Sequence, residues 1–433
     1  MSPAQLSGKR AMKSSAQRSL SADQTNAPLG TRVINKRHPW SVVHACEAAR
    51  DVLPLVEGQL AAGMRPQLLT PAGFGLPSAF AESGRSLEAS QISLLRMWNH
   101  VRDWRRLLND AAAESAAEVI HAHSFASGMA AVRSGSGVVY QFNLPVEKLA
   151  AADGSHDENS WLARSFRVAE QFVLTRAAAV VVKSHSVRLA SLDRGVGADN
   201  VFLVPEPIPS DYLESKPDRK WLEQAASGNA ESIFFLIPSV PSPASWTGRD
   251  AVLRSMRVLA VLKHQHPTVK FVFLCEEEAE DLLREVAGIC QLSDWVSILP
   301  SDARPVAMAS ADVVICGIDQ SGQSFALEAQ ARGRALLAAD TEQHREITSD
   351  GRGCLWFRPG EVSDITQRAS FLAGNPQFRR ALGAAAREHC LATRSPEVVG
   401  AQYDAVYRLA FSKRKGRDSS PPRTQLIPLQ VGG

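Results

Sequence analysis

Short apolar runs alternate with longer amphipathic stretches along most of this chain. In the first half, the short runs are rich in β-branched residues and predict strands, and the stretches between them repeat apolar residues at helical spacing. Strands joined by helices pair in parallel, and helices then cover both faces of the sheet. The strands predicted here are residues 40–44, 66–70, 119–121, 138–140, 179–182 and 201–204.

The same alternation restarts after residues 206–231, which are charged and follow Pro205. Its predicted strands are residues 233–237, 269–274, 296–299, 313–316, 335–338 and 354–357. A chain of 433 residues exceeds one ordinary core, so two domains are expected. The predicted class is α/β, with two Rossmann-like domains that face a cleft. They span residues 38–205 and 232–395, with 206–231 as the linker.

Residues 311–340 form the most informative unit: an apolar strand, a turn-forming segment, a helix over 324–331 and another strand. Ser324 stands where it could cap the helix, and Gly333 can end it. Free backbone N–H groups at a helix start attract phosphate, and ligands of open α/β sheets bind beyond the carboxyl ends of strands. Glu328 could accept hydrogen bonds from sugar hydroxyls. The same unit is also compatible with plain α/β architecture.

Composition narrows the setting. The sequence contains no run of 18 or more apolar residues, so no membrane-spanning helix is predicted. The N-terminal residues lack the apolar segment of a secretory signal, so such a signal is not expected. The six cysteines are scattered, which favours free thiols and a cytoplasmic location.

Charge is concentrated at the two ends of the chain. Residues 1–37 carry seven basic side chains and one acidic, and residues 412–433 carry five and one. These tails are expected to be disordered. They either contact an anionic surface, such as the inner face of a membrane, or are simply solvated, and no specific nucleic acid is predicted.

Several motifs carry a resemblance when taken in order. They are residues 61–70, the strand end AEVIHAHS at 117–124, RAAAVVVKS at 176–184, NVFLVP at 200–205, ADVV at 311–314, the unit around Glu328-Ala329, and 344–353. Together they resemble the retaining GT-B glycosyltransferases of the family-4 type, over residues 38–411. The resemblance implies a helix at 396–411 that crosses back to the first domain. It also implies transfer from a nucleotide-sugar donor with retention, without metal or cofactor. The acceptor would be a glycan, a lipid-linked molecule or a small molecule.

The resemblance also assigns candidate site residues. The catalytic candidates are His123, Asn143 and Gln320. The donor-binding candidates are Arg249, Asp319, Ser321, Gly322, Gln323, Ser324, Glu328 and Glu346.

Metal binding is not expected at these positions. His121 and His123 alternate at a strand end, but no Cys, Asp or third His accompanies them at ligand spacing.

A second hypothesis stays open beside glycosyl transfer. Gln320 replaces the first glutamate of the family pattern, Thr247 replaces a lysine, and Asn143 replaces a histidine. These changes remove charge, although Gln and Asn still form hydrogen bonds. They are compatible with an inactive GT-B protein that binds a nucleotide or glycan, or acts as a scaffold. A nicotinamide dehydrogenase is disfavoured because no strand is followed by the dinucleotide glycine fingerprint.

Overall fold

The computed structural model describes residues 39–414 except 48, 50, 51, 72, 76–93, 115–116, 134–136, 144, 146–159, 215, 239–245, 319–322, 349–350 and 352. For residues 73–75, 94–98, 112–114, 246–248 and 323 the backbone alone is described. The predicted tail at 1–37 lies outside the described residues. Of the tail predicted at 412–433, residues 412–414 are helical and residues 415–433 lie outside the described residues. No helix in the described part of the chain is long and apolar enough to cross a membrane.

The first sheet has seven strands in the order β3-β2-β1-β4-β5-β6-β7. All neighbours pair in parallel except the edge strand β3, which is antiparallel to β2 and which the sequence did not predict. The strands are β1 Ser41–Ala45, β2 Arg65–Thr70, β3 Gly73–Gly75, β4 Val119–Ala122, β5 Gly137–Phe142, β6 Ala179–Val182 and β7 Val201–Leu203.

Helices cover both faces of this sheet. In the second helix Val101, Trp104, Leu108 and Ala111 are buried at the spacing of one helix face, which places that face on the sheet. The helices are α1 Leu53–Ala61, α2 Leu94–Glu114, α3 Phe125–Ala131, α4 Trp161–Arg176 and α5 His185–Asp193.

The second sheet has six parallel strands in the order β10-β9-β8-β11-β12-β13. These strands are β8 Ile233–Ile237, β9 Val269–Cys275, β10 Val296–Pro300, β11 Val313–Cys316, β12 Ala335–Ala339 and β13 Cys354–Phe357. The helices that flank them are α8 Trp246–Gln265, α9 Glu277–Ile289, α10 Arg304–Ser310, α11 Gln323–Ala331, α12 Glu342–Thr348, α13 Val362–Gly374 and α14 Pro376–Arg394. Two α/β sheets of this kind confirm the predicted fold class.

The segment predicted as a linker contains two short helices, α6 Ser210–Glu214 and α7 Arg219–Ala225. Leu222 and Ala226 are buried in the core of the second sheet. The linker therefore packs onto the second domain through these two apolar side chains.

The last helix, α15 Pro396–Arg414, packs against the first domain, as predicted from the resemblance. Val399, Tyr403, Val406 and Tyr407 are buried among residues of the first sheet. The helix extends three residues beyond the predicted end at 411. Helices α15 and α1 approach each other so closely that glycine is required at position 400. A Cβ on Gly400 would lie 2.4 Å from backbone atoms of Gly58 in α1.

Candidate active site

Each sheet reverses its strand order at one pair of central strands. The reversal falls between β1 and β4 in the first sheet and between β8 and β11 in the second. Ligands of open α/β sheets bind beyond the carboxyl ends of strands at this point. The candidate site is therefore formed by the segments that follow these four strands.

Three histidines lie together at this edge of the first sheet. His44 in β1 is paired in register with His121 in β4, and His123 follows directly after β4. The ring centroids of His121 and His123 are 4.1 Å apart, and that of His44 is 5.1 Å from His121. His44 and His121 are fully buried, whereas His123 is half-buried.

A chain of hydrogen bonds connects these rings through the crossing helix α15. His123 Nε2 lies 2.9 Å from His44 Nδ1, and His44 Nε2 lies 2.8 Å from Gln59 Oε1. Gln59 Nε2 donates to the Tyr407 hydroxyl at 2.7 Å, and that hydroxyl lies 3.1 Å from His121 Nδ1.

The directions of these bonds follow from the amide of Gln59. Because Gln59 Oε1 is an acceptor, the proton of His44 is on Nε2, and His44 Nδ1 accepts from His123 Nε2–H. His123 therefore keeps Nδ1 as its proton-accepting nitrogen. The Tyr407 hydroxyl accepts from Gln59 and has its own hydrogen to donate to His121 Nδ1.

Burial makes the three imidazoles weak bases. It lowers the pKa of His44 to about 4, and it lowers the pKa of His121 and of His123 well below the usual value. All three are thus neutral at pH 7, and at that pH His123 acts as a hydrogen-bonding group without charge.

The expectation that no third ligand accompanies His121 and His123 is wrong. Ring nitrogens of His44, His121 and His123 all lie within 4.8 Å of one another, and neutral imidazole is a metal ligand. The sequence missed His44 because it stands 77 residues before His121 and meets it only through the pairing of β1 with β4. That the protein requires no metal stays a prediction.

Other polar side chains stand at the same edge. Asn143 follows β5, is exposed, and accepts a hydrogen bond from Gln141 Nε2 at 3.3 Å, while Gln141 Oε1 accepts from Tyr403 of α15. Lys183 follows β6 and lowers the pKa of His123, although burial and the other two histidines act more strongly. Lys183 also pairs with Glu206 at 3.2 Å. The sequence could have indicated Lys183, because it stands directly after the apolar run at 179–182, but it was not among the predicted site residues.

Glu47 lies shortly after the end of β1. Its Oε1 accepts from Ser124 Oγ at 2.8 Å and from Trp104 Nε1 at 3.0 Å, and it also contacts His100. Glu47 therefore joins the loop after β1 to the start of α3, beside the histidines. This role was not predicted.

The corresponding edge of the second sheet begins at Gly317. This residue has φ +84°, and a Cβ would lie 2.7 Å from the His344 ring and 2.8 Å from Ala339 Cβ, so glycine is required at the end of β11. The candidates Asp319, Gln320, Ser321 and Gly322 lie outside the described residues.

After this gap, the next described residues form helix α11, which starts at the same edge of the sheet. It begins at Gln323, so Ser324 is exposed within its first turn instead of capping it.

Glu328 is placed inside the protein. Its side chain is 1% exposed; Oε1 lies 2.9 Å from Arg332 Nη2, and Oε2 lies 3.5 Å from Arg304 Nε. Burial raises the pKa of Glu328, and the two arginines oppose that rise. The carboxylate is thus held by guanidinium groups of its own domain in this arrangement.

Arg249 and Glu346 occupy different surroundings. Arg249 is exposed in the first turn of α8, which follows β8. Glu346 in α12 accepts a hydrogen bond from the backbone N–H of His185, the first residue of α5 in the other domain. Its carboxylate therefore caps a helix across the domain boundary, where the helix dipole favours negative charge.

Two Rossmann-like domains, with the last helix returned to the first, define the GT-B class of fold. Three solved structures with this likeness cover most of the chain. A glycosyltransferase from Rickettsia africae is 13% identical with a TM-score of 0.63, and covers 86% of this chain and 99% of its own. Sucrose-phosphate synthase from Thermosynechococcus elongatus is 17% identical with a TM-score of 0.60, and the match covers 86% of this chain and 100% of the synthase chain. Anabaena HepE in complex with UDP is 15% identical with a TM-score of 0.56, and the match covers 84% of this chain and 98% of the HepE chain.

Family models match both halves of the chain. Residues 47–207 match the glycosyl transferase 4-like domain, and residues 278–403 match a domain described as glycosyl transferase-like. No curated protein sequence matches the chain significantly. The chain therefore has the GT-B fold, and each half matches a glycosyltransferase-like domain model.

Proposed function

We propose that this protein transfers a sugar from a nucleotide-sugar donor to an acceptor, with retention of configuration. One observation carries the proposal: a glycosyltransferase-like model matches each of the two domains, in the order that the GT-B fold requires. The acceptor is a glycan, a lipid-linked molecule or a small molecule, and the donor is a substrate, so no cofactor is required.

The donor diphosphate is proposed to bind at the start of α11. This helix begins at the reversal point of the second sheet. The first N–H groups of a helix have no partner within the helix, which suits them to bind anionic oxygens. Asp319, Gln320, Ser321, Gly322 and Gln323 form the segment around that start. Arg249 follows the neighbouring strand β8 and supplies positive charge, which stabilises a departing nucleoside diphosphate.

His123 is proposed to position the transferred sugar or the acceptor. Its ring is neutral at pH 7, and its Nδ1, which has no hydrogen-bond partner among the described residues, can accept a hydroxyl hydrogen. Asn143 and Lys183 stand at the same sheet edge and can bind further hydroxyl or phosphate oxygens. Glu328 and Glu346 are the proposed donor contacts whose carboxylates are already engaged, so each must exchange a partner to bind a sugar.

Binding is tested first by thermal shift of the full chain against UDP, GDP, ADP and their common sugar conjugates. Uridine nucleotides come first because HepE was solved with UDP-glucose and a Staphylococcus aureus protein, MnaA, with UDP. A ligand at 100 times its Kd adds roughly 2.7 kcal/mol of stability, which a thermal shift detects. The Arg249→Gln variant should weaken the response, and the exposed Arg257→Gln variant of the same helix is its control.

Turnover is tested by release of the nucleoside diphosphate in the presence of glycan, lipid-linked and small-molecule acceptors. Proton NMR of the product then reads the anomeric configuration, and inversion would contradict retention. A nucleotide response without turnover would favour the binding protein or scaffold, which the changes at Thr247 and Gln320 motivate. No response to any nucleotide by the folded protein would refute the proposed transfer. Binding to anionic vesicles, compared with residues 38–411 alone, tests a peripheral membrane role for the basic tails.

A further inference from the structure

A cationic cavity of about 650 Å³ lies in the second domain, away from the candidate active site. It is lined by the turn between α11 and β12, by one face of α14, and by α6 with the segment that follows it. The basic side chains in its lining are Lys216, Arg332, Arg334, Arg379, Arg380 and Arg387.

Acidic groups balance only part of this charge. Glu214 and Asp312 are the carboxylates of the lining. Asp312 already accepts from Arg219 at 2.8 Å and from the backbone N–H of Phe234 at 2.9 Å. Arg332 pairs with Glu328, which lies outside the lining, and Arg379 lies 3.9 Å from Asp312. The lining therefore carries six cations and two carboxylates, one of which is engaged outside the cavity.

Three of the arginines use part of their hydrogen-bonding capacity on backbone carbonyls, and Arg379 donates to those of Leu372 at 2.6 Å and Ala373 at 3.2 Å. Arg334 donates to the carbonyl oxygens of Arg332 at 3.1 Å and of Ala311 at 3.3 Å, and Arg387 donates to that of Ala331. These contacts satisfy the C-terminal end of α11 and place the guanidinium groups around it. They leave further N–H groups of each five-donor guanidinium for a ligand.

Arg332 supplies an independent indication that the cavity binds an anion. Its side chain is 2% exposed, and its Nη2 pairs with Glu328. Its Nη1, however, is buried and has no hydrogen-bond partner among the described residues. A buried N–H group without a partner is costly, and a small shift of the Arg332 side chain towards the cavity would let a ligand oxygen satisfy it. Burial also lowers the pKa of Arg334 and of Arg379, with neighbouring arginines adding to the effect.

The cavity is distinct from the donor site. Ala335 at the start of β12 lines it, as does Asp312 directly before β11, so it lies at the amino edge of the second sheet. The proposed donor site lies at the carboxyl edge. Strand β12 runs from Ala335 to Ala339 and separates the two edges by roughly 13 Å.

We propose that this cavity binds a small molecule that carries two or more linked phosphate groups. Planar guanidinium groups match phosphate oxygens in pairs, which is why arginine clusters recognise phosphate. The volume fits a nucleotide-sized ligand. Tyr212 in the lining offers a ring beside the phosphate-binding groups, with Arg332 5.6 Å from its centroid.

The test is a calorimetric titration of the full chain with inorganic tripolyphosphate, followed by ATP and UDP to learn whether a base adds affinity. The Arg380→Gln/Arg387→Gln variant should lose roughly tenfold or more in affinity for each arginine removed. The single variant Arg380→Gln should lose part of this affinity. Because the Arg380 side chain is exposed, this variant is expected to fold like the wild type. The charge-matched control is Arg257→Gln/Arg284→Gln, whose residues lie outside the cavity lining and are exposed.

The outcomes separate this cavity from the donor site. Tripolyphosphate should bind the control and Arg249→Gln as tightly as it binds the wild type. Absence of binding to the wild type, or equal binding to the double cavity variant, overturns the proposal. It is also overturned if Arg249→Gln abolishes binding while the double cavity variant retains it, because the anion would then occupy the donor edge. If the double cavity variant loses tripolyphosphate binding but keeps the thermal shift with a nucleotide sugar, the cavity and the donor site are separate. The proposed transferase function then stands or falls independently of the cavity.

Discussion

The contact between α1 and α15 gives the sharpest prediction, because two glycines make it. In Gly400→Ala, the new Cβ would lie 2.4 Å from the carbonyl carbon and oxygen of Gly58. In Gly58→Ala, it would lie 1.8 Å from the Pro396 carbonyl oxygen. The opposing atoms are backbone in both variants, so no side-chain rotation relieves the overlap.

The magnitude follows from two opposing effects. Ordinary contact of a Cβ begins at 3.4 Å, so the helices must separate by about 1 Å in Gly400→Ala. Overpacking of this kind costs about 1–3 kcal/mol, and the displaced helix also loses contacts of its buried face. Alanine favours a helix over glycine by about 1 kcal/mol, which offsets part of the cost. We expect a net destabilisation of about 2 kcal/mol, and more in Gly58→Ala.

Thermal unfolding followed by calorimetry measures the effect. Gly288→Ala in α9 is the matched control, because a Cβ there meets nothing within 4 Å and the substitution should raise the melting temperature. The hydroxyl of Tyr407 would move with α15, so the imidazole NMR signals of the histidine cluster should also shift in Gly400→Ala. A Gly400→Ala variant as stable as the wild type, with unchanged histidine signals, would refute the close packing.

Three further predictions follow from buried polar groups. Stability should fall as pH falls from 6.5 towards 4, because the unfolded chain protonates His44 while the folded protein, with a pKa of about 4, does not; the loss for this group reaches about 3 kcal/mol at pH 4. Glu328→Ala leaves the guanidinium of Arg332 buried without its carboxylate and should cost about 3–5 kcal/mol, so loss of turnover in this variant would not by itself show a donor role. Tyr407→Phe removes the hydroxyl that accepts from Gln59 and should cost about 1–3 kcal/mol.

Each of these has a contradicting result. A flat melting temperature between pH 6.5 and 4, or the same slope in His44→Gln, would contradict the buried neutral histidine. For Glu328, urea unfolding of Glu328→Ala and Glu328→Gln is compared, and equal stability of all three proteins would show that the ion pair contributes nothing. For Tyr407, an unchanged urea midpoint would show that another group satisfies the Gln59 amide.

Local pattern was enough to predict the framework of this protein. The apolar run at 233–237 is β8 to the residue, and 313–316 is β11, because a strand buried on both faces is apolar throughout. Residues 354–357 form β13 as predicted. The switch from short apolar runs to helical spacing also predicted the other parallel strands and most of the helices, although α5 and α10 were not predicted. Strand β3 was missed because its three residues contain two glycines and too few side chains to form a pattern.

The tertiary structure alone decided which side chains meet. His44 joins His121 because β1 pairs with β4 across 77 positions of sequence, and no periodic signal records that pairing. Glu346 caps a helix of the other domain, and Glu328 is held by Arg332 inside its own, although both were predicted as donor contacts. The cationic cavity gathers residues from α6, the α11–β12 turn and α14. Strand and helix periodicity is a property of neighbouring residues, and the sequence therefore determined the elements. Contacts between distant residues depend on how the elements pack, and only the folded chain determines them.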